Sequence, residues 1–108
     1  MSDFSNFLGV LRDKLKELAQ TSWGEYKEAA IQDGRSFVDK TRADLERWTK
    51  LLATGELSKE DFAWLVKGKE DLAELEALKL AGLAAAQLDQ FRHDLVDTVI
   101  GTAFEVFL

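Results

Sequence analysis

Phe4, Leu15, Tyr26, Phe37 and Trp48 stand 11 residues apart along the first half of the chain. Eleven residues are close to three α-helical turns, about 3.67 residues per turn against 3.6 for an ideal helix. A residue repeated at that interval returns to nearly the same side of a helix. Four positions after each anchor come Leu8, Ala19, Ala30, Thr41 and Leu52, mostly apolar or small. The pattern predicts one helix over about 3–53 with a continuous apolar stripe. A stripe of that length has to be covered by something.

The 108 residues form a single domain over 1–108, with no proline and no cysteine. Absence of proline removes the strongest helix breaker and argues for an all-α fold. Absence of cysteine excludes a disulfide framework and thiol chemistry. The first residues lack the basic and apolar segments of a signal peptide, so a cytoplasmic location is expected. No apolar run is long enough to cross a bilayer, and no transmembrane segment is expected.

The clearest punctuation is Ala53-Thr54-Gly55-Glu56-Leu57-Ser58. Gly55 suits the left-handed residue that ends a helix. Ser58 suits the N-cap of the next, with Asp61 three residues on and Leu57 and Phe62 as a hydrophobic staple. Beyond it, apolar residues spaced by threes and fours predict a second helix over about 59–106. A short connection makes the two arms antiparallel. The fold class read from the sequence is thus an all-α, long antiparallel helical hairpin with its turn near 54–58. Facing residues then have numbers summing to about 112, which pairs Trp48 with Trp64, Phe37 with Leu75, and Tyr26 with Ala86.

Gly24 and Gly34 are the weak points of the first arm, at about 1 kcal/mol each in a helix interior. A break at Asp33-Gly34 would give a compact three- or four-helix bundle instead. The 11-residue phase passes both glycines unshifted, so a continuous arm is expected.

A face as wide as that of Trp23, Ile31, Val38, Leu45, Leu51 and Trp64 is what a helix shows when it meets two neighbours. Two hairpins would supply them as a four-helix bundle, and a homodimer is the expected partner arrangement. The residues expected at the core or oligomer interface are Phe4, Leu15, Tyr26, Phe37, Trp48, Trp64, Leu72, Leu75, Phe91, Val99, Phe104 and Phe107. The C-terminal stretch from Thr98, with one charge in 11 residues, is expected to pack on Phe4, Phe7, Leu8 and Leu11 and on a partner subunit, with a docking surface for a membrane or another protein as the alternative.

Chemistry-bearing motifs are sparse. Asp89, His93 and Asp97 lie four apart on one helical face, but the chain has a single His, and a solvated face with helix-stabilising pairs is the expected reading. Glu70, Asp71, Glu74 and Glu76 cluster beside Lys67, Lys69 and Lys79 without a calcium-loop pattern. No phosphate loop or nucleophile elbow is present. No catalytic residue, metal or cofactor is expected. Residues 54–108 carry five basic and eleven acidic side chains, which is the whole net charge of −6. The cations are interleaved with acids rather than clustered, so nucleic-acid binding is not expected.

The 11-residue period resembles that of exchangeable apolipoproteins, lipid-droplet coat proteins and granule-associated phasins. That resemblance covers residues 4–52 and implies an apolar-ligand or lipid-surface binder. The large aromatic anchors depart from those families and favour a fixed core. The expected function is therefore a non-enzymatic helical-bundle scaffold or interaction protein, self-associating through its apolar stripes.

Overall fold

The computed structural model describes residues 3–108, and among them every regular element is helical. Five α-helices follow one another: α1 (Asp3–Ser22), α2 (Lys27–Thr54), α3 (Lys59–Lys67), α4 (Glu76–Leu80) and α5 (Ala85–Phe107). Single 3-10 turns at Gly24–Tyr26 and Glu70–Leu72 join α1 to α2 and α3 to α4.

The expected helix over 3–53 is two helices. The chain leaves helical geometry at Trp23 (φ −131°, ψ 33°) and again at Tyr26 (φ −118°, ψ 25°). Gly24 weakens the helix there, and Trp23 is held on α5. Its indole meets the Phe91 ring edge-on at 5.5 Å, and its Nε1–H donates to Asp94 Oδ2 at 3.1 Å. The reversal lays α1 antiparallel on α2, with Leu15 beside Gly34. The joint uses about one turn's worth of residues, so the spacing of large residues survives a reversal that the helical phase does not register. Gly34, the other candidate break, is buried inside α2, where its bare backbone accommodates Leu15 and Leu95.

The turn at 54–58 forms as read. Gly55 is left-handed (φ 81°), and Glu56 and Leu57 both donate to the Leu51 carbonyl. The Ser58 hydroxyl accepts from Asp61 N–H at 3.1 Å, and Phe62 is fully buried. The segment after α3 is not the single helix expected over 59–106. Leu75 is left-handed (φ 57°) and Gly82 has φ 97°. Asp33 of α2 supplies the reason. Its carboxylate accepts from Ala77 N–H at 3.1 Å and Leu78 N–H at 2.8 Å, and so caps the start of α4. The helix end is satisfied by Leu83 N–H donating to the Leu78 carbonyl. α5 then opens with Gln87 Oε1 accepting from Ala84 N–H.

Surface ion pairs mark the register of this irregular third arm on α2. Lys69 meets Asp44 at 3.4 Å, and Lys40 meets Glu74 at 3.3 Å. These pairs sum to 113 and 114 in residue number, close to the expected 112 around Lys40 and Asp44, although the arm is not the single helix of the expected hairpin. α5 runs antiparallel to α1, with Phe7 against Phe107 at 5.7 Å and Lys14 near Glu105. Phe62 of α3 meets Phe104 of α5 at 6.0 Å. The chain thus runs up and down four times: α1, α2, the α3–α4 arm, and α5.

Phe7, Leu11, Phe37, Leu45, Phe62, Phe91, Leu95 and Val99 form the fully buried centre. Each such side chain contributes about 1.5–3 kcal/mol on leaving water. Buried Thr41 and Thr49 donate to the carbonyls of Phe37 and Leu45 four residues back, so no hydroxyl is stranded. The long apolar stripe is covered within one chain.

Candidate functional site

The residues singled out from the sequence fall into three groups. Leu15, Phe37, Trp48, Leu75, Phe91 and Val99 are buried in the core. Phe4, Tyr26, Leu72, Phe104 and Phe107 are partly buried and packed against it. Trp64 stands apart, 74% exposed on α3.

The polar candidates do not assemble a chemical site. His93 is exposed, with its Nδ1 3.7 Å from Glu70, while Asp89 pairs with Arg92. Among the described residues no group of three His, Cys, Asp or Glu side chains is placed to hold a metal ion. Glu70, Asp71 and Glu74 border a shallow hollow that Lys79 and Arg92 also line. The Glu74 carboxyl is held below its ordinary pKa by a hydrogen bond from Lys40, with the charge of Lys40 adding to it. Every buried side-chain nitrogen and oxygen among the described residues has a partner. The buried carboxylate of Asp33 is committed to the start of α4.

What remains is surface, in two places. The first is the outer side of α3. Trp64 borders a hollow with Trp48, Leu65, Lys67, Gly68 and Lys69. Trp48 is the inner wall, with the Arg47 guanidinium and the Lys69 ammonium each 5.9 Å from its ring centre. Asp61, Trp64 and Lys67 are spaced by threes, so they share one ridge of the helix.

The second is a groove of about 360 Å³ between α1 and α2. Its floor is aliphatic: Leu11 and Leu15 are buried, and Leu8, Ile31 and Val38 half-buried. Its rims carry Arg12 and Lys16 from α1, and Arg35 and Arg42 from α2, with Asp39 the one carboxylate. All five charged side chains are exposed, and none of the ion pairs among the described residues involves them. A local excess of cations on an acidic chain is the least expected electrostatic feature of the molecule. Sequence reading missed it because the reversal at Trp23–Tyr26 is what brings Arg12 and Lys16 opposite Arg35 and Arg42. Placing that turn in the sequence would have found it, since a hairpin centred there pairs residues whose numbers sum to about 50.

Among the described residues no helix is long and apolar enough to span a membrane. Comparison with family models, with curated proteins and with solved structures finds no match to this chain.

Proposed function

We propose that the protein is a non-enzymatic helical-bundle interaction protein that self-associates as a homodimer across the outer side of α3. The observation that carries this reading is Trp64, 74% exposed on a helix whose inner face is fully packed. An indole left in water beside a hollow that Trp48 and Leu65 line is the kind of aromatic anchor that concentrates binding energy at interfaces.

A second copy of the chain fits this surface by charge as well as shape. Asp61, Trp64 and Lys67 form a self-complementary ridge. Around a two-fold axis at Trp64, the antiparallel copy lays its Lys67 on Asp61, and its Asp61 on Lys67. That is the isologous arrangement closed dimers use. The dimer differs from a pair of open hairpins, because each chain brings a finished bundle and only the α3 face is shared.

Light scattering behind a sizing column tests the reading. The expected mass is near twice the 12.2 kDa of the chain, falling to that of one chain in Trp64→Glu. A wild-type mass of one chain at high micromolar concentration refutes it. So does a dimer that Trp64→Glu leaves intact.

A further inference from the structure

The groove between α1 and α2 lies apart from the α3 face, and the two hollows share no residue. We propose that this groove docks an acidic amphipathic helix of a partner protein, as a second interaction surface beside the α3 face through which copies of the chain pair. It rests on the reading of the chain as an interaction protein and adds to self-association a second partner class and site.

Three features specify the occupant. The floor is a strip of aliphatic side chains from two antiparallel helices, with Leu8, Leu11 and Leu15 on one side and Ile31 and Val38 on the other. Their spacing of three, four and seven is the spacing at which a third helix seats its own apolar ridge. The rims are cationic on both sides, so the incoming helix carries acids on both flanks of its apolar seam, as the flanking positions of paired helices do. The cations are spread along the groove instead of converging at one end. Arg12 and Lys16 are about one turn apart, and Arg35 and Arg42 about two, or roughly 10 Å at 1.5 Å per residue. A single fatty carboxylate would need its cations gathered at one point. A helix with Asp or Glu on successive turns meets the distributed set. Asp39, between Arg35 and Arg42 on the same rim, disfavours a ligand that is uniformly anionic, and calls for one basic or neutral position on the partner helix.

The rim cations are free to make these pairs. Lys14, Lys40, Arg47, Lys69 and Arg92 are already engaged by acids of the chain, whereas the four around the groove are not. The chain's net charge of −6 repels an acidic helix elsewhere, so long-range steering favours this face.

The test uses the full chain and two synthetic, fluorescein-labelled helical peptides of about 18 residues, five turns. Both carry the same leucine seam, one flanked by Glu and the other by Lys. Fluorescence anisotropy is expected to show binding of the Glu-flanked peptide, weakening as salt rises. It should show at least tenfold weaker binding of the Lys-flanked peptide. Arg35→Glu and Arg42→Glu, on exposed positions, should each weaken the Glu-flanked peptide by about tenfold with an unchanged circular-dichroism spectrum. Amide shifts in labelled protein should cluster on residues 8–16 and 31–42. Equal binding of both peptides overturns the proposal, as does binding that ignores Arg35→Glu and Arg42→Glu. Phosphatidylglycerol vesicles or oleate binding more tightly than the peptide, and losing that binding in the same variants, would also overturn it in favour of a lipid ligand. Trp64→Glu, run in parallel, separates the two surfaces. It should abolish the dimer and leave peptide affinity unchanged, so a failed groove is distinguishable from a failed dimer.

Discussion

Replacing Asp33 by Ala should destabilise the fold by about 3 kcal/mol without touching the centre of the core. Asp33 is 6% exposed, and its two oxygens receive Ala77 N–H at 3.1 Å and Leu78 N–H at 2.8 Å. Both are charge-assisted bonds at the start of a helix, where the backbone has no donors' partners of its own. The Leu78 N–H lies in a buried bond and would be orphaned outright, at about 2 kcal/mol. The Ala77 N–H is partly wetted and loses about 1 kcal/mol. Asp33→Asn keeps one acceptor and should lose about half as much. The assay is urea unfolding followed by helical circular dichroism, read as a change in midpoint at constant slope. For a chain of this size the Asp33→Ala loss corresponds to a melting temperature lower by about 12 °C. Two outcomes would refute the reasoning: Asp33→Ala as stable as wild type, or Asp33→Asn costing as much as Asp33→Ala. The first would mean that α4 is held by Leu75 and Leu78 packing alone, and the second that an amide oxygen cannot replace either bond without the carboxylate charge.

Two glycines should respond with opposite signs in the same assay. Gly34→Ala places a methyl 3.5 Å from Leu15 Cδ1, an ordinary contact, and should stabilise by up to about 1 kcal/mol through helix propensity. Gly55→Ala forces φ 81° on an alanine and should destabilise by about 1–2 kcal/mol. The Glu74–Lys40 pair should be visible in a carboxyl-carbon NMR titration. Glu74 titrates below its unfolded value because Lys40 donates to its charged form, so the pair's contribution is present above the unfolded carboxylate pKa and fades as pH falls through the folded one. Lys40→Met should move the Glu74 titration upward, and a Glu74 curve unchanged in that variant would contradict the assignment.

What the sequence revealed and what it hid divide by range. The turn at Gly55 and the cap at Ser58 were legible because each is settled within five residues by φ > 0 and by one hydroxyl. The register of α2 on the third arm was legible because it follows from that turn by counting. Lys69–Asp44 and Lys40–Glu74 obey the count even where the arm stops being helical. The C-terminal apolar stretch met Phe7 as its composition demanded. By contrast, the break of the second arm is caused by Asp33, more than 40 residues away in sequence, and no local signal at Leu75 announces a left-handed leucine. The break of the first arm is caused by Trp23 finding Phe91 and Asp94 on α5. The even spacing of large residues pointed the other way, since a reversal that uses one turn's worth of chain preserves the count. The groove inherits that blindness. Its four cations sit on two arcs that look unrelated until the chain is folded at Trp23–Tyr26.

The contact of α1 with α5 has a consequence for how the chain is made. α1 packs on both α2 and α5, and Phe7 of α1 and Trp23 just after it meet the Phe107 and Phe91 rings of α5. At about 5–20 residues per second, α5 starts to leave the ribosome roughly 3–13 s after α1 is complete. During that interval one flank of α1 stays uncovered, and α1 and α2 can meet only as an unfinished pair. Closure of the bundle is therefore expected to wait until α5 has emerged. A nascent chain stalled before Phe91 should remain protease-sensitive and bind hydrophobic-surface chaperones, however well its first half is helical.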